Sequence, residues 1–326
     1  MLRYGLVLPH FGPHATSERL VSAAQAAERY GFDSVWVRDH VVFRPHAHES
    51  GRVDRTHIDP IVTLSYLASV TERIMLGTAA IIPHRHPIHL ALILGSLEYL
   101  AGPGRVIMGV GVGTFDHEFE AVGLGGIKRA GLLKENIAIL RRLWTGEEVD
   151  HEGETYSFEG VDVHPTPSAD GIPIWYCGGS KAAVRIAVDH CDGWLPGRLP
   201  LNMLKKRMEL LRQLCEEQER PLPSRGAMAI VSPAPTVEEG LRHVNVEGLL
   251  DEYRAFKDAD PADGPEALDG ALMAGPPEEI VASTRRLHEA GVSHVVFDLR
   301  FRFDEWDDCL AILGERVLPE LRAAKG

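Results

Sequence analysis

Apolar positions along the chain fall into two alternating patterns. Short runs, mostly rich in Val and Ile with little polar interruption, occur at Tyr4–Leu8, Ser34–Val37, Ile74–Thr78, Val106–Val110, Ile174–Tyr176, Gly193–Leu195, Met228–Val231 and His294–Leu299. Runs of that length and make-up suit strands buried on both faces. Longer amphipathic stretches separate them, at Glu18–Tyr30, Ile61–Thr71, Pro87–Leu100, Leu132–Trp144, Lys181–Asp189, Leu204–Glu217, Pro277–Ala290 and Glu305–Leu321. Ser17 before the first helix and Gly31 after it read as an N-cap and a C-terminal stop. Pro60, after Asp59, and Pro87 each sit where a helix begins. Eight strand–helix alternations imply a parallel sheet. Closure into a (β/α)8 TIM barrel suits eight units of this length better than an open sheet does.

Two segments break the rhythm and are expected as insertions after strands 4 and 7. Gly146–Gly171 exceeds an ordinary connection and contains Glu154-Thr155-Tyr156-Ser157-Phe158, which reads as a small β-hairpin. Pro233–Ala274 is also too long, and Val246–Asp258 within it reads as helical. Both excursions are expected at the C-terminal face, where barrel sites are built. No linker composition or internal repeat divides the chain, so residues 1–326 are expected to form one domain.

Composition removes whole classes of function. The 326 residues carry 47 acidic and 34 basic side chains, a formal net charge of -13, which is a poor match for nucleic acid or an anionic membrane. No apolar stretch approaches the roughly 20 residues of a membrane span. The N-terminal run ends early, at Pro9-His10, unlike a signal peptide. Cys177, Cys191, Cys215 and Cys309 are widely spaced, with neither a zinc pattern nor a disulfide framework. A cytoplasmic location is the simplest expectation.

Candidate chemistry clusters where strands end. Asp39-His40 ends strand two, placing a carboxylate and an imidazole at the barrel mouth, and imidazole suits proton handling near neutral pH. Ala79-Ala80 leaves strand three with small side chains that let a planar ligand approach. Gly109-Val110-Gly111-Val112-Gly113-Thr114 ends strand four, but its G-x-G-x-G spacing is not a Rossmann fingerprint. Cys177-Gly178-Gly179-Ser180-Lys181 opens a helix whose exposed N–H groups favour an anion, and Ser180 either caps that helix or contacts the anion. His84-Arg85-His86 and His89, with Asp298, offer a rival reading as a metal-dependent hydrolase. The ends of strands five and six supply no histidine ligands, so no metal is expected.

Taken in order, these pieces resemble the luciferase-like monooxygenase family. The resemblance rests on Gly31–Trp36, Thr71–Thr78, Gly104–Gly111, Ile172–Ser180 and Asp192-Gly193-Trp194, covering roughly residues 3–200 and returning at Gly275–Leu299. It implies a barrel that binds FMN or its 5-deaza analogue, coenzyme F420, at the C-terminal mouth. Asp39-His40-Val41-Val42-Phe43 and Phe158-Glu159-Gly160-Val161-Asp162 are closer to the F420-dependent branch. Carried over by position, Asp39 contacts the pyrimidine edge of the ring, and His40 is the catalytic residue beside the reacting carbon. Ala79 and Ala80 form the bulge behind the ring, often through a non-prolyl cis peptide. Gly111, Val112 and Gly113 line the cofactor tail, while Gly178, Gly179 and Ser180 hold its phosphate. Thr114 stands where some F420-dependent sugar-phosphate dehydrogenases carry a catalytic Glu, which argues against that mechanism. The resemblance also implies a homodimer formed through the helices beside strands two and three.

The function implied is hydride transfer between coenzyme F420 and a small organic substrate. An FMN-dependent, oxygen-using monooxygenase and a non-catalytic flavin-binding protein remain as alternatives. The substrate is not legible, because its contacts are expected from the excursions Phe43–His57 and Pro233–Ala274.

Overall fold

The computed structural model describes residues 2–49, 54–261 and 263–323. Parts of both excursions expected to contact the substrate, residues 50–53 and 262, therefore lie outside the described residues.

The strands are β1 (Arg3–Val7), β2 (Ser34–Val37), β3 (Met75–Thr78), β4 (Val106–Val110), β5 (Val149–Glu152), β6 (Ser157–Val161), β7 (Ile174–Tyr176), β8 (Gly193–Trp194), β9 (Ser224–Pro233), β10 (Leu272–Gly275) and β11 (His294–Asp298). Parallel pairing runs β9-β11-β1-β2-β3-β4-β7-β8, and β8 pairs back onto β9 at Gly193–Ser224 and Trp194–Arg225. The sheet is thus a closed barrel of eight parallel strands, as the alternation predicts. Helices α1 (Ser17–Tyr30), α2 (Pro60–Ala68), α3 (Pro87–Ala101), α4 (Asp116–Ala121), α5 (Arg129–Leu143), α6 (Lys181–His190), α7 (Leu201–Glu217), α8 (Val237–Arg242), α9 (Val246–Arg254), α10 (Pro277–Glu289) and α11 (Trp306–Ile312) follow in chain order.

The period-2 geometry of each strand sorts its side chains. Leu6, Val35, Val37, Leu76, Met108 and Val110 face outward into the core shared with the helices. Val7, Trp36, Ile107, Trp175, Leu195, Met228 and Val296 form a separate cluster inside the barrel. Two tryptophans take up so much of that interior that their neighbours must be glycine. A Cβ on Gly77 would lie 2.5 Å from Trp36, and one on Gly193 would lie 2.5 Å from Trp175.

Several local expectations need correction. Thr16, not Ser17, caps α1, its side chain accepting from Arg19 N; Gly31 does end the helix, at φ 84°. Beyond the eight barrel strands, β10 joins the β8-facing edge of β9 past the point where β8 leaves it, pairing Leu272–Gly275 with Ile230–Pro233. The hairpin β5–β6 forms within Gly146–Gly171, but it lies in the connection from α5 to β7 rather than directly after strand four. It packs outside the barrel, with His151 on Glu135 and Tyr156 against His86. It lines neither mouth cavity. The second excursion, carrying α8 and α9, follows β9 and does reach the mouth.

Candidate active site

The C-terminal strand ends converge on a cavity of about 400 Å3. Its walls include all ten residues singled out from the sequence: Asp39 and His40 after β2, Ala79 and Ala80 after β3, Gly111, Val112 and Gly113 after β4, and Gly178, Gly179 and Ser180 after β7. The Ala79–Ala80 peptide is cis.

His40 is held by a residue that the sequence did not flag. Its Nδ1 lies 3.3 Å from both carboxylate oxygens of Glu118, on α4. Glu118 is buried and also accepts from the backbone N–H groups of Val41 at 2.9 Å and Val42 at 3.2 Å. Burial works against its ionisation, but His40 and these two N–H groups outweigh it and hold the carboxyl below the usual range. An ionised Glu118 favours the tautomer with the proton on Nδ1, which leaves Nε2 as the free face of the ring. The two residues are 78 positions apart, so no spacing rule could pair them.

Asp39 is more constrained than the resemblance implies. Its buried carboxylate accepts from Arg85 at 3.0 and 2.7 Å and from Ile82 N at 3.1 Å. Arg85 continues to Asp59 at 2.6 Å. Three of roughly four acceptor positions are therefore occupied, and one on Oδ1 remains for a ring edge. Ser180 caps α6 by accepting from Ala183 N at 3.1 Å, and its hydroxyl proton remains available. His10, a second histidine near the mouth, is excluded as a proton donor. It is fully buried, with Nδ1 2.9 Å from Leu8 O and Nε2 accepting from Arg38 N at 2.7 Å. Among the described residues, no group of histidines, cysteines and carboxylates is arranged to hold a metal ion, and the two ring nitrogens of the half-buried His84 have no hydrogen-bond partner.

A buried ionic cluster also borders the cavity; sequence reasoning named only its Asp298, as a candidate metal ligand, and missed the rest. Arg38 donates to Glu49 at 3.2 Å, while Arg300 donates to Asp298 at 2.7 Å and meets His48 at 2.9 Å. His48 also bonds Glu252, which accepts from Arg198 at 3.2 Å. Burial and the nearby Arg198 push His46 down to about 2 and His48 to about 4, so both are neutral at pH 7. The one local hint was Arg38 itself, adjacent to the Asp39-His40 pair.

Comparison with known proteins places this architecture. The profile described as luciferase-like monooxygenase matches residues 3–294. The chain belongs to the luciferase-like monooxygenase family. Within that family it is similar to the F420-dependent glucose-6-phosphate dehydrogenase of Nakamurella multipartita, at 29% identity and covering 97% of both chains. Among solved structures, an F420-dependent secondary alcohol dehydrogenase in complex with an F420–acetone adduct superposes with a TM-score of 0.80 at 20% identity, covering 98% of this chain and 99% of that one. A monooxygenase from Streptomyces bottropensis gives 0.79 at 21% identity, again covering 98% and 99%. At those identities the structural likeness shows the fold.

Proposed function

We propose that this luciferase-like protein binds coenzyme F420 in the mouth cavity and catalyses hydride transfer between it and a small organic substrate. The observation that carries the reading is His40, which borders a glycine-walled cavity with Nδ1 anchored on buried Glu118 and Nε2 left for a substrate proton. The names of similar proteins favour the deazaflavin over FMN.

The cavity suits a flat, phosphate-bearing cofactor. At Gly111 a Cβ would stand 3.4 Å from Ala80 Cβ and from Cys177 O, so this wall is open because a side chain is missing there. Gly178, Gly179 and the Ser180 hydroxyl, at the N-terminus of α6, would hold the phosphate. Ala79, Ala80, Gly111, Val112 and Gly113 would flank the ring and tail, and Asp39 would meet the ring edge through its remaining acceptor position. When bound, F420 supplies a two-electron hydride acceptor or donor at carbon five of its ring. His40 Nε2 takes or returns the substrate proton, while Glu118 holds the imidazole in place and offsets its charge.

Equilibrium titration is expected to show F420 binding more tightly than FMN, with no substrate-dependent oxygen consumption. FMN binding alone with oxygen-dependent turnover would replace this reading with a monooxygenase.

Gly111 gives the cleanest test of where the cofactor lies. Gly178 and Gly179 are poorer probes, because an added Cβ would meet Tyr176 at 2.9 Å or Leu199 at 3.0 Å within the protein itself. Gly111→Ala is expected to keep the melting temperature within about 2 °C and to weaken F420 binding at least about tenfold, since the fold has room for the methyl but a ring lying against it does not. Unchanged affinity would place the cofactor elsewhere.

We also propose a homodimer through α2 and α3. Val62 and Tyr66 on α2 and Leu92, Ile93, Tyr99 and Leu100 on α3 are exposed, Tyr99 at 74% and Leu100 at 77%. Apolar patches of this kind mark interaction surfaces. Light scattering is expected to give twice the chain mass, and Leu100→Glu to give the monomer. A monomeric wild type at micromolar concentration contradicts the assembly.

A further inference from the structure

The mouth cavity opens onto a second chamber of about 410 Å3, with which it shares His46, Thr114, Gly197, Arg198 and Phe256. Pro45, Phe115, Leu249, Leu268 and Ala271 supply most of its other walls. Leu249 and Phe256 come from α9 and the residues just after it, so the excursion that follows β9 builds this chamber.

Its charges are matched within the protein. Arg198, the cation on the chamber wall, is paired with Glu252 at 3.2 Å. Behind it, Arg300 is paired with Asp298 at 2.7 Å and Arg38 with Glu49 at 3.2 Å. The two Arg38 nitrogens without a hydrogen-bond partner, Nε and Nη2, are buried, and the guanidinium lies 3.8 Å over the Phe11 ring. They are closed to a ligand. A phosphate dianion entering the second chamber would shed water and meet an arginine already neutralised by a carboxylate, a costly exchange. An apolar body would meet apolar walls.

Resting on the F420-dependent reading above, we propose that the second chamber takes the body of an uncharged, mainly apolar alcohol or carbonyl compound and rejects phosphorylated sugars. In the oxidative direction, the carbinol C–H bond breaks and its electron pair leaves as hydride to F420. The O–H proton passes to His40 Nε2 and a C=O bond forms, so the alcohol loses two electrons and the cofactor gains two. Reduction of the carbonyl runs the same exchange backwards. This departs from the substrate named for the similar dehydrogenases. In this chain Glu252 occupies the cation that an anionic substrate would need.

Calorimetric titration of the F420-loaded protein tests this with cyclohexanone, glucose 6-phosphate and inorganic phosphate as probes. Wild type is expected to bind cyclohexanone and to show no glucose 6-phosphate or phosphate binding at millimolar concentration. Glu252→Gln frees Arg198 and is expected to raise phosphate affinity at least about tenfold. The double variant R198Q/E252Q is expected to lose that gain. Tighter binding of glucose 6-phosphate than of cyclohexanone by wild type overturns the proposal, as does a folded E252Q variant with no gain. If E252Q fails to fold, the wild-type comparison still decides. Cyclohexanone binding without F420 binding sinks the cofactor reading alone; F420 binding with a preference for glucose 6-phosphate sinks this inference alone.

Discussion

Replacing His40 with Gln or Ala is expected to leave F420 affinity within about threefold of wild type and to lower kcat by about 10²–10⁴-fold, the usual worth of a positioned general acid or base. The asymmetry follows from geometry. His40 is one of many residues around the cavity, and the glycine-rich walls after β4 and β7 remain when it is removed. Two other candidates near the mouth are already committed. His10 has both ring nitrogens committed, and Asp39 is tied to Arg85. Glu118 touches His40 rather than the cavity, so it is a positioning residue, and its replacement should read differently. Glu118→Gln keeps an oxygen that can accept from Nδ1, whereas Glu118→Ala removes the contact. We expect about a tenfold loss in kcat for Glu118→Ala with KM unchanged, and substantial rescue by Glu118→Gln. A purely structural role for Glu118 would raise KM or lower stability together with kcat. Near-wild-type turnover of both His40 variants would assign the proton to water or to another mouth residue such as His46.

What could be read from the sequence, and what could not, divides along the range of the interactions. The barrel was legible because strands buried on both faces declare themselves in runs such as Val35-Trp36-Val37, and Asp59-Pro60 and Gly31 mark helix ends locally. The ten cavity residues were legible because they sit at strand ends, and closure of the barrel gathers those ends. β10 was missed because Leu272-Met273-Ala274-Gly275 is too short to stand out from the excursion around it, and it forms only because the edge of β9 continues past β8. The hairpin was recognised but not placed, since sequence order alone does not say whether an insertion leaves from the strand or the helix of its unit. Glu118, Glu49 and Glu252 had no local signature. Each looks like a solvated acid in a helical or loop segment, and only tertiary packing brings it to His40, Arg38 or Arg198. The pairing of charges around the second chamber was for the same reason invisible in the chain.

Acid is expected to unfold this protein through its histidines before its carboxylates. His10 and His294 are 0% and 2% exposed. Burial holds His10 far below its ordinary pKa, with His57 and Arg38 acting in the same direction. Protonating its Nε2 would also break the bond from Arg38 N. His294 lies edge-on to Trp36 and Trp175 inside the barrel, bonds Ser34 Oγ at 2.8 Å, and is pushed down to about 3 by burial, with Arg3 adding to the effect. For both, the folded pKa is below the unfolded value of about 6.5, so the unfolded chain binds more protons in between. Their contribution is therefore complete above pH 6.5 and is lost as pH falls toward the folded values. Each such group costs about 1.4 kcal/mol per pH unit. Between pH 6.5 and 5 His294 alone should remove about 2 kcal/mol, and His10 adds a loss in the same direction. Glu49 and Asp298, held below the usual carboxylate range by Arg38 and Arg300 against the opposing effect of burial, add their losses only below about pH 4.5. Urea unfolding at pH 7.5, 6.5, 5.5 and 5.0 is expected to show a level midpoint above 6.5 and a steep fall below it. His294→Gln keeps a hydrogen-bonding group for Ser34 and cannot titrate, so it should make the slope below pH 6.5 shallower even where it lowers stability at pH 7.5; the remaining slope belongs to His10, His46, His48 and His57. A midpoint that stays flat from pH 7 to 5 would mean that these imidazoles are not held neutral, and that the barrel interior admits the charge that its packing is argued to exclude.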